Sequence, residues 1–304
     1  MEHRITGLIA APHTPMREDF SVEPGKVGPY AAMLVRNGVS GAFVCGSTGE
    51  SMSLTVAERQ AVAEAWVEAA PEGFVVIVHV GHTALPDCRA LAEHARRIGA
   101  DAIALMPPVY FRPRGVEELV DFCARVAEAA PEMPFYYYHI PVLTGVRVPM
   151  AEFVPRAVER VGSFAGMKFT DEDLMDLDRC LRFGGGRLNV LFGRDQMLLS
   201  ALVLGVEGAV GTTYNYAAPL YRGIMEAFAA GDLERARAQQ SRAADLVSVM
   251  HRFGGLCASK AMMRLVGVDC GPCRPPVRTL SPQEERSLRA ALEAVGFFEY
   301  SCRL

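Results

Sequence analysis

From residue 5 to about residue 230, short apolar runs alternate with longer segments whose apolar residues recur every three or four positions. The short runs are 5–11, 41–44, 74–80, 102–106, 134–138, 164–168, 188–192 and 208–210. They are nearly continuous in apolar residues, the mark of strands covered on both faces rather than solvated on one. The periodic segments between them include 56–69, 85–98, 116–129 and 195–204. Several carry acidic residues in the first turn, where a helix N-terminus favours negative charge. Strand and helix in alternation predict a parallel sheet of the α/β class. Eight such units within about 230 residues predict a (β/α)8 TIM barrel over 1–230, close to the usual ~250 residues of that fold.

After the eighth run the pattern changes. The segment 231–304 shows helical periodicity only, at 232–253, 256–266 and 282–296, the last opened by Ser281 as an N-cap. A stretch rich in helix breakers, 267–276, separates the last two. The expectation is a barrel with a C-terminal three-helix extension.

Composition adds mainly exclusions. A chain of 304 residues with 50% hydrophobic and 22% charged residues is an ordinary globular sequence. A formal net charge of -4 leaves no basic footprint for nucleic acid and no polybasic stretch for a membrane surface. No apolar run approaches the roughly 20 residues that span a bilayer. Met1-Glu2-His3-Arg4 lead into the first run without a signal-peptide core, so a cytoplasmic location is expected. Among the 8 cysteines, Cys270-Gly271-Pro272-Cys273 copies the spacing of a redox motif. That motif works at the start of a helix, whereas Arg274-Pro275-Pro276 follows here, so a structural loop is expected.

A barrel of this kind gathers its chemistry at the C-terminal ends of its strands. Of the 31 basic residues only Lys26, Lys168 and Lys260 are lysines, and Lys168 ends the sixth run in Gly166-Met167-Lys168-Phe169-Thr170. An ammonium that loses hydration is biased toward the neutral amine, which can attack a ketone; a guanidinium cannot. The alternative is a lysine whose stem packs in the wall while its head reaches water. After the second run, Gly46-Ser47-Thr48-Gly49-Glu50 offers converging N–H groups and two hydroxyls, a set suited to a carboxylate. The fifth run ends in Tyr136-Tyr137-Tyr138-His139-Ile140-Pro141. The seventh leads into Gly193-Arg194-Asp195-Gln196 and the eighth into Gly211-Thr212-Thr213-Tyr214-Asn215. Singly, Tyr138 also reads as a packing aromatic and Asp195 as a helix N-cap. His79 and His82 near the third strand end raise a metal-dependent aldolase, but no third ligand stands at a convincing spacing. A barrel that only binds is a further alternative, opposed by the joint presence of Lys168, Tyr138, Ser47 and Thr48.

Four of these motifs in this order resemble a known family. Gly46–Glu50, Tyr138-His139-Ile140-Pro141, Gly166–Thr170 and Gly208–Asn215 are similar to the pyruvate-dependent Schiff-base lyases, which include dihydrodipicolinate synthases and sialic-acid lyases. The run 135–146 and His79-Val80-Gly81 resemble the sialic-acid branch. Leu143 stands where dihydrodipicolinate synthases carry an arginine for a second carboxylate. Gln196 replaces an acidic residue usual in the sialic-acid branch, and Thr212 replaces a serine.

The resemblance implies cleavage of N-acetylneuraminate to N-acetylmannosamine and pyruvate, or an aldolase or dehydratase reaction on another 2-keto-3-deoxy sugar acid. It implies Lys168, Tyr138, Thr48 and Tyr110 as catalytic residues, with Tyr110 supplied by a neighbouring subunit. Ser47, Thr48, Thr170, Gly193, Asp195, Gln196 and Thr212 are implied as substrate-binding residues. The same resemblance implies no cofactor beyond the lysine, no metal, and a homo-oligomer, specifically a tetramer.

Overall fold

The computed structural model describes residues 4–304; residues 1–3, at the start of the Met1–Arg4 segment read above, lie outside the described residues. Eight strands form one closed barrel: β1 (Gly7–Ala10), β2 (Gly41–Val44), β3 (Val75–His79), β4 (Ala102–Leu105), β5 (Phe135–His139), β6 (Phe164–Phe169), β7 (Asn189–Phe192) and β8 (Gly208–Gly211). Every strand pairs parallel with the next, and β8 pairs parallel with β1. The outer ring begins with α1 (Val27–Arg36), α2 (Val56–Ala69), α3 (Leu85–Arg97) and α4 (Val116–Ala127). It continues with α5 (Pro141–Thr144), α6 (Met150–Arg160), α7 (Leu174–Arg182), α8 (Leu198–Val203) and α9 (Tyr214–Ala229). The architecture is the expected TIM barrel, with strand ends displaced from the sequence reading by a residue or two.

Two apolar layers hold it together. The larger lies between strands and helices and takes in Trp66, Leu119, Phe153 and Tyr221. The smaller fills the barrel lumen with Ile9, Phe43, Ile77, Tyr138, Leu191 and Val210. Strand residues feed both layers alternately, so the strands are apolar over most of their length. Helix starts follow local chemistry: α2 opens on a capping box in which Thr55 accepts from the Glu58 N–H and Glu58 accepts from the Thr55 N–H.

The C-terminal extension comprises α10 (Leu233–Arg252), α11 (Leu256–Leu265), α12 (Pro282–Ala294) and a short α13 (Phe297–Tyr300). Ser281 caps α12 through a second capping box, as its sequence predicts. Three helices were expected and a fourth appears, because Gly296 adopts a left-handed φ of 69° that stops α12 and lets the chain restart. Helix α10 lies against α9 and against the 3-10 turn Asp195–Met197. Leu246, Met262, Leu288 and Phe297 join the same apolar layer as the outer ring. Among the described residues no helix is long and apolar enough to cross a membrane.

Candidate active site

Strand β6 delivers Lys168 to the barrel mouth directly beside Tyr138 of β5, its register partner. The lysine is 4% exposed. Its Nζ sits 4.2 Å from the ring centre of Phe43 and 4.2 Å from that of Tyr138, so it rests on aromatic faces rather than on a carboxylate. The alternative of a solvent-reaching head is therefore set aside by burial. Tyr138 packs edge-to-face on Phe43 at 5.2 Å, yet its hydroxyl lies 3.4 Å from Ser47 Oγ. It is both a packing residue and a polar group at the mouth.

The hydroxyls predicted after β2 and β8 meet across the mouth, Thr48 Oγ1 and Thr212 Oγ1 being 2.6 Å apart. Asp195 does not cap a helix. Its Oδ2 accepts from the Thr213 N–H at 2.9 Å and from Thr213 Oγ1 at 2.6 Å, which ties the β7 loop to the β8 loop. Burial raises its carboxyl above the usual aspartate value. The expected helix at 195–204 begins as the 3-10 turn Asp195–Met197 before α8, and the tighter turn accompanies that use of Asp195. Gly193 has to be glycine, since a Cβ there would collide with Thr170 Oγ1. That hydroxyl is buried with no partner among the described residues and is free to meet a ligand.

These groups line one cavity of about 410 Å³. Ser47, Thr48, Tyr138, Lys168 and Thr170 face it from β2, β5 and β6, and Gly193, Asp195, Gln196 and Thr212 from β7 and β8. Leu143 of α5 also lines it, so no cation enters from that position. Tyr110 is the expected residue that the chain does not bring to the cavity. It is 78% exposed and stacks edge-to-face on Phe111 at 4.9 Å, outside the mouth.

Sequence reasoning missed a second wall. Arg194 on the β7 loop, His251 and Met250 on α10, and Leu256 and Ser259 on α11 complete the lining. Arg194 stood inside a motif already singled out and could have been found; the α10 and α11 residues carry no local signal. Ser259 Oγ bonds His13 Nε2 at 2.8 Å beneath the wall. Burial, with Lys260 nearby, drives the His13 imidazole down to about 3 from 6.5. The folded chain thus refuses a proton that the unfolded chain accepts below about pH 6.5. This contribution to stability is complete above pH 6.5 and is lost as pH falls toward about 3. Between about pH 7.5 and 5.5 the wild type should lose about 1.4 kcal/mol through this group. Denaturant unfolding of wild type and His13→Asn at the two pH values checks it; an equal loss in both would refute the assignment.

Neither rival motif assembles. His79 Nδ1 is 2.9 Å from the Cys45 carbonyl oxygen, while His82 Nδ1 lies 3.2 Å from Asp87. No group of three or more His, Cys, Asp or Glu side chains suited to a metal occurs among the described residues. Cys270 and Cys273 are buried free thiols in a loop, each pushed up to about 12 mainly by burial.

The arrangement brings together a buried lysine, a phenol beside it, a hydroxyl-rich turn and a polar far wall in one cavity. The N-acetylneuraminate lyase of Rattus norvegicus is 40% identical over 302 residues, covering 98% of this chain and 94% of that protein. The solved N-acetylneuraminate lyase of Proteus mirabilis superposes with a TM-score of 0.94 at 37% identity, over 97% of this chain and 100% of its own. The lyase (sialic acid aldolase) of Aliivibrio salmonicida gives 0.94 at 39% identity, over 97% and 98%. With the model of the Dihydrodipicolinate synthetase family matching residues 4–295, almost the whole barrel and extension, the chain belongs to that family.

Proposed function

We propose that this protein is a Schiff-base lyase that cleaves N-acetylneuraminate to N-acetylmannosamine and pyruvate. The observation that carries the reading is Lys168, a buried lysine on the cavity floor with its Nζ against Phe43 and Tyr138. Relatives about 40% identical over nearly the full chain that bear the name N-acetylneuraminate lyase support the substrate. Leu143 in the lining speaks against a second substrate carboxylate at that wall.

The reaction follows from the residues. The open-chain substrate places its carboxylate at the Ser47–Thr48 turn and its C2 ketone over Lys168. The amine adds to C2, water leaves, and the resulting iminium is an electron sink. The C3–C4 bond then breaks, its electron pair passing into an enamine as the C4 hydroxyl hands its proton to the Tyr138 oxygen while the Tyr138 phenol proton moves on to the substrate carboxylate. The aldehyde departs, C3 is protonated, and water releases pyruvate and the free amine. Ser47 beside the Tyr138 hydroxyl and the Thr48–Thr212 pair begin a relay for that proton. In this reading Tyr110 of a neighbouring copy completes it, in a homotetramer located in the cytoplasm, and no cofactor takes part. Thr170, Gly193, Asp195, Gln196 and Thr212 receive the sugar tail.

A second reading, another 2-keto-3-deoxy sugar acid, is favoured by one feature. Gln196 lines the cavity where sialic-acid lyases usually carry an acid, with Arg194 beside it. A neutral amide bonds hydroxyls about half as strongly as a carboxylate. Gln196→Glu should therefore lower KM for N-acetylneuraminate with little change in kcat, because the contact exists equally in ground and transition states. Pyruvate release from a panel of 2-keto-3-deoxy sugar acids is the measurement. Loss of activity in the variant, with shorter acids preferred by the wild type, would transfer the assignment to the second reading.

A further inference from the structure

Helix α11 touches the barrel mouth with two successive residues. Ser259 lines the cavity, while Lys260 is inserted beneath the β2 loop. Lys260 Nζ donates to Glu50 Oε1 at 2.8 Å and to the Pro272 carbonyl at 2.6 Å. Both side chains of this ion pair are 1% exposed. The other carboxylate oxygen of Glu50 accepts the Arg274 N–H at 2.7 Å. Both oxygens are thus held by the extension and the loop after it.

Glu50 closes the turn that presents Ser47 and Thr48. Its N–H donates to the Ser47 carbonyl at 3.1 Å and its own carbonyl accepts the Ser53 N–H at 2.8 Å. Its backbone is left-handed, with φ 59° and ψ 29°, a conformation that a non-glycine residue keeps only where its surroundings impose it. The anchored carboxylate imposes it here. A lysine suits this place in a chain that uses arginine for all but three of its basic residues: a compact ammonium can serve one carboxylate and one carbonyl from a small pocket, whereas a planar guanidinium needs more width.

We propose that Glu50 and Lys260 are positioning residues: their buried ion pair holds the Ser47–Thr48 turn in the shape that receives the keto acid's carboxylate. Through this pair the C-terminal extension sets the affinity for the acid's carboxylate from behind the turn. The inference rests on the Schiff-base reading above, since it uses pyruvate as the ligand.

The test measures the pyruvate concentration that half-saturates borohydride trapping, read by intact mass, together with the thermal midpoint. The double variant Glu50→Gln/Lys260→Met removes both charges, so neither is left buried alone. It should fold, give one adduct per chain at saturation, and need about tenfold more pyruvate or beyond, the cost of weakening hydrogen bonds to a charged group. Arg264→Ala breaks the ion pair between α11 and Glu285 of α12. It should lower the thermal midpoint and leave half-saturation unchanged. Wild-type half-saturation in the folded double variant, or an equal shift in Arg264→Ala, would overturn the proposal. Should the double variant not fold, Lys260→Arg decides by the same shift; failure of both to fold assigns the pair to stability alone and overturns it as well. A wild type that gains no adduct refutes the Schiff-base reading itself, and this inference with it.

Discussion

Lys168→Arg is expected to reduce pyruvate release to the background rate while the barrel remains folded. The substituted side chain keeps its charge and approximate length but cannot form an imine, so the covalent route is closed rather than slowed. Guanidinium groups also stack on aromatic faces, and Phe43 and Tyr138 supply two of them, so the fold should tolerate the change. Intact mass after pyruvate and borohydride should rise by one reduced adduct in the wild type and stay unchanged in the variant. Circular dichroism should show the same helix content in both. Turnover by the arginine variant above background would end the Schiff-base assignment, and a binding-only barrel would be indicated if the wild type also gained no adduct.

Tyr138→Phe is expected to separate imine formation from cleavage. The ring would keep its edge-to-face contact with Phe43 and lose only the hydroxyl beside Ser47. Trapping with pyruvate should persist, because Lys168 is untouched. Cleavage of N-acetylneuraminate should slow by roughly 10²–10⁴-fold, the range that a positioned proton carrier contributes. The loss should appear in kcat more than in KM, since the proton moves only on the way through the transition state. Cleavage near the wild-type rate would remove Tyr138 from the chemistry and leave it as a packing residue of the lumen.

Much of this molecule is legible in its linear order. Parallel strands buried on both faces have to be apolar throughout, so the eight strands stand out as short runs, and the capping residues Thr55 and Ser281 mark the helices that follow them. Because strand ends of a barrel face one mouth, Ser47, Thr48, Tyr138, Lys168, Asp195, Gln196 and Thr212 could be grouped from sequence position alone, and one cavity collects them. Asp195 shows the limit of local reading: its position before a helix suggests a cap, but its carboxylate bonds Thr213 from the next strand's loop.

What the sequence by itself determined is the barrel, the order of its strands and the polar residues gathered at their ends, all of which depend on periodicity and on neighbours along the chain. Only the tertiary structure decided which face of the extension meets that chemistry. His251, Leu256 and Ser259 reach the cavity, and Lys260 reaches Glu50, through contacts spanning some 200 residues of chain in the last case. A helical stripe of small and apolar residues such as 256–265 packs equally well on many surfaces. Its docking is selected by the summed burial of α10, α11 and α13 against α9, with α12 packed on all three, and by one fully buried ion pair.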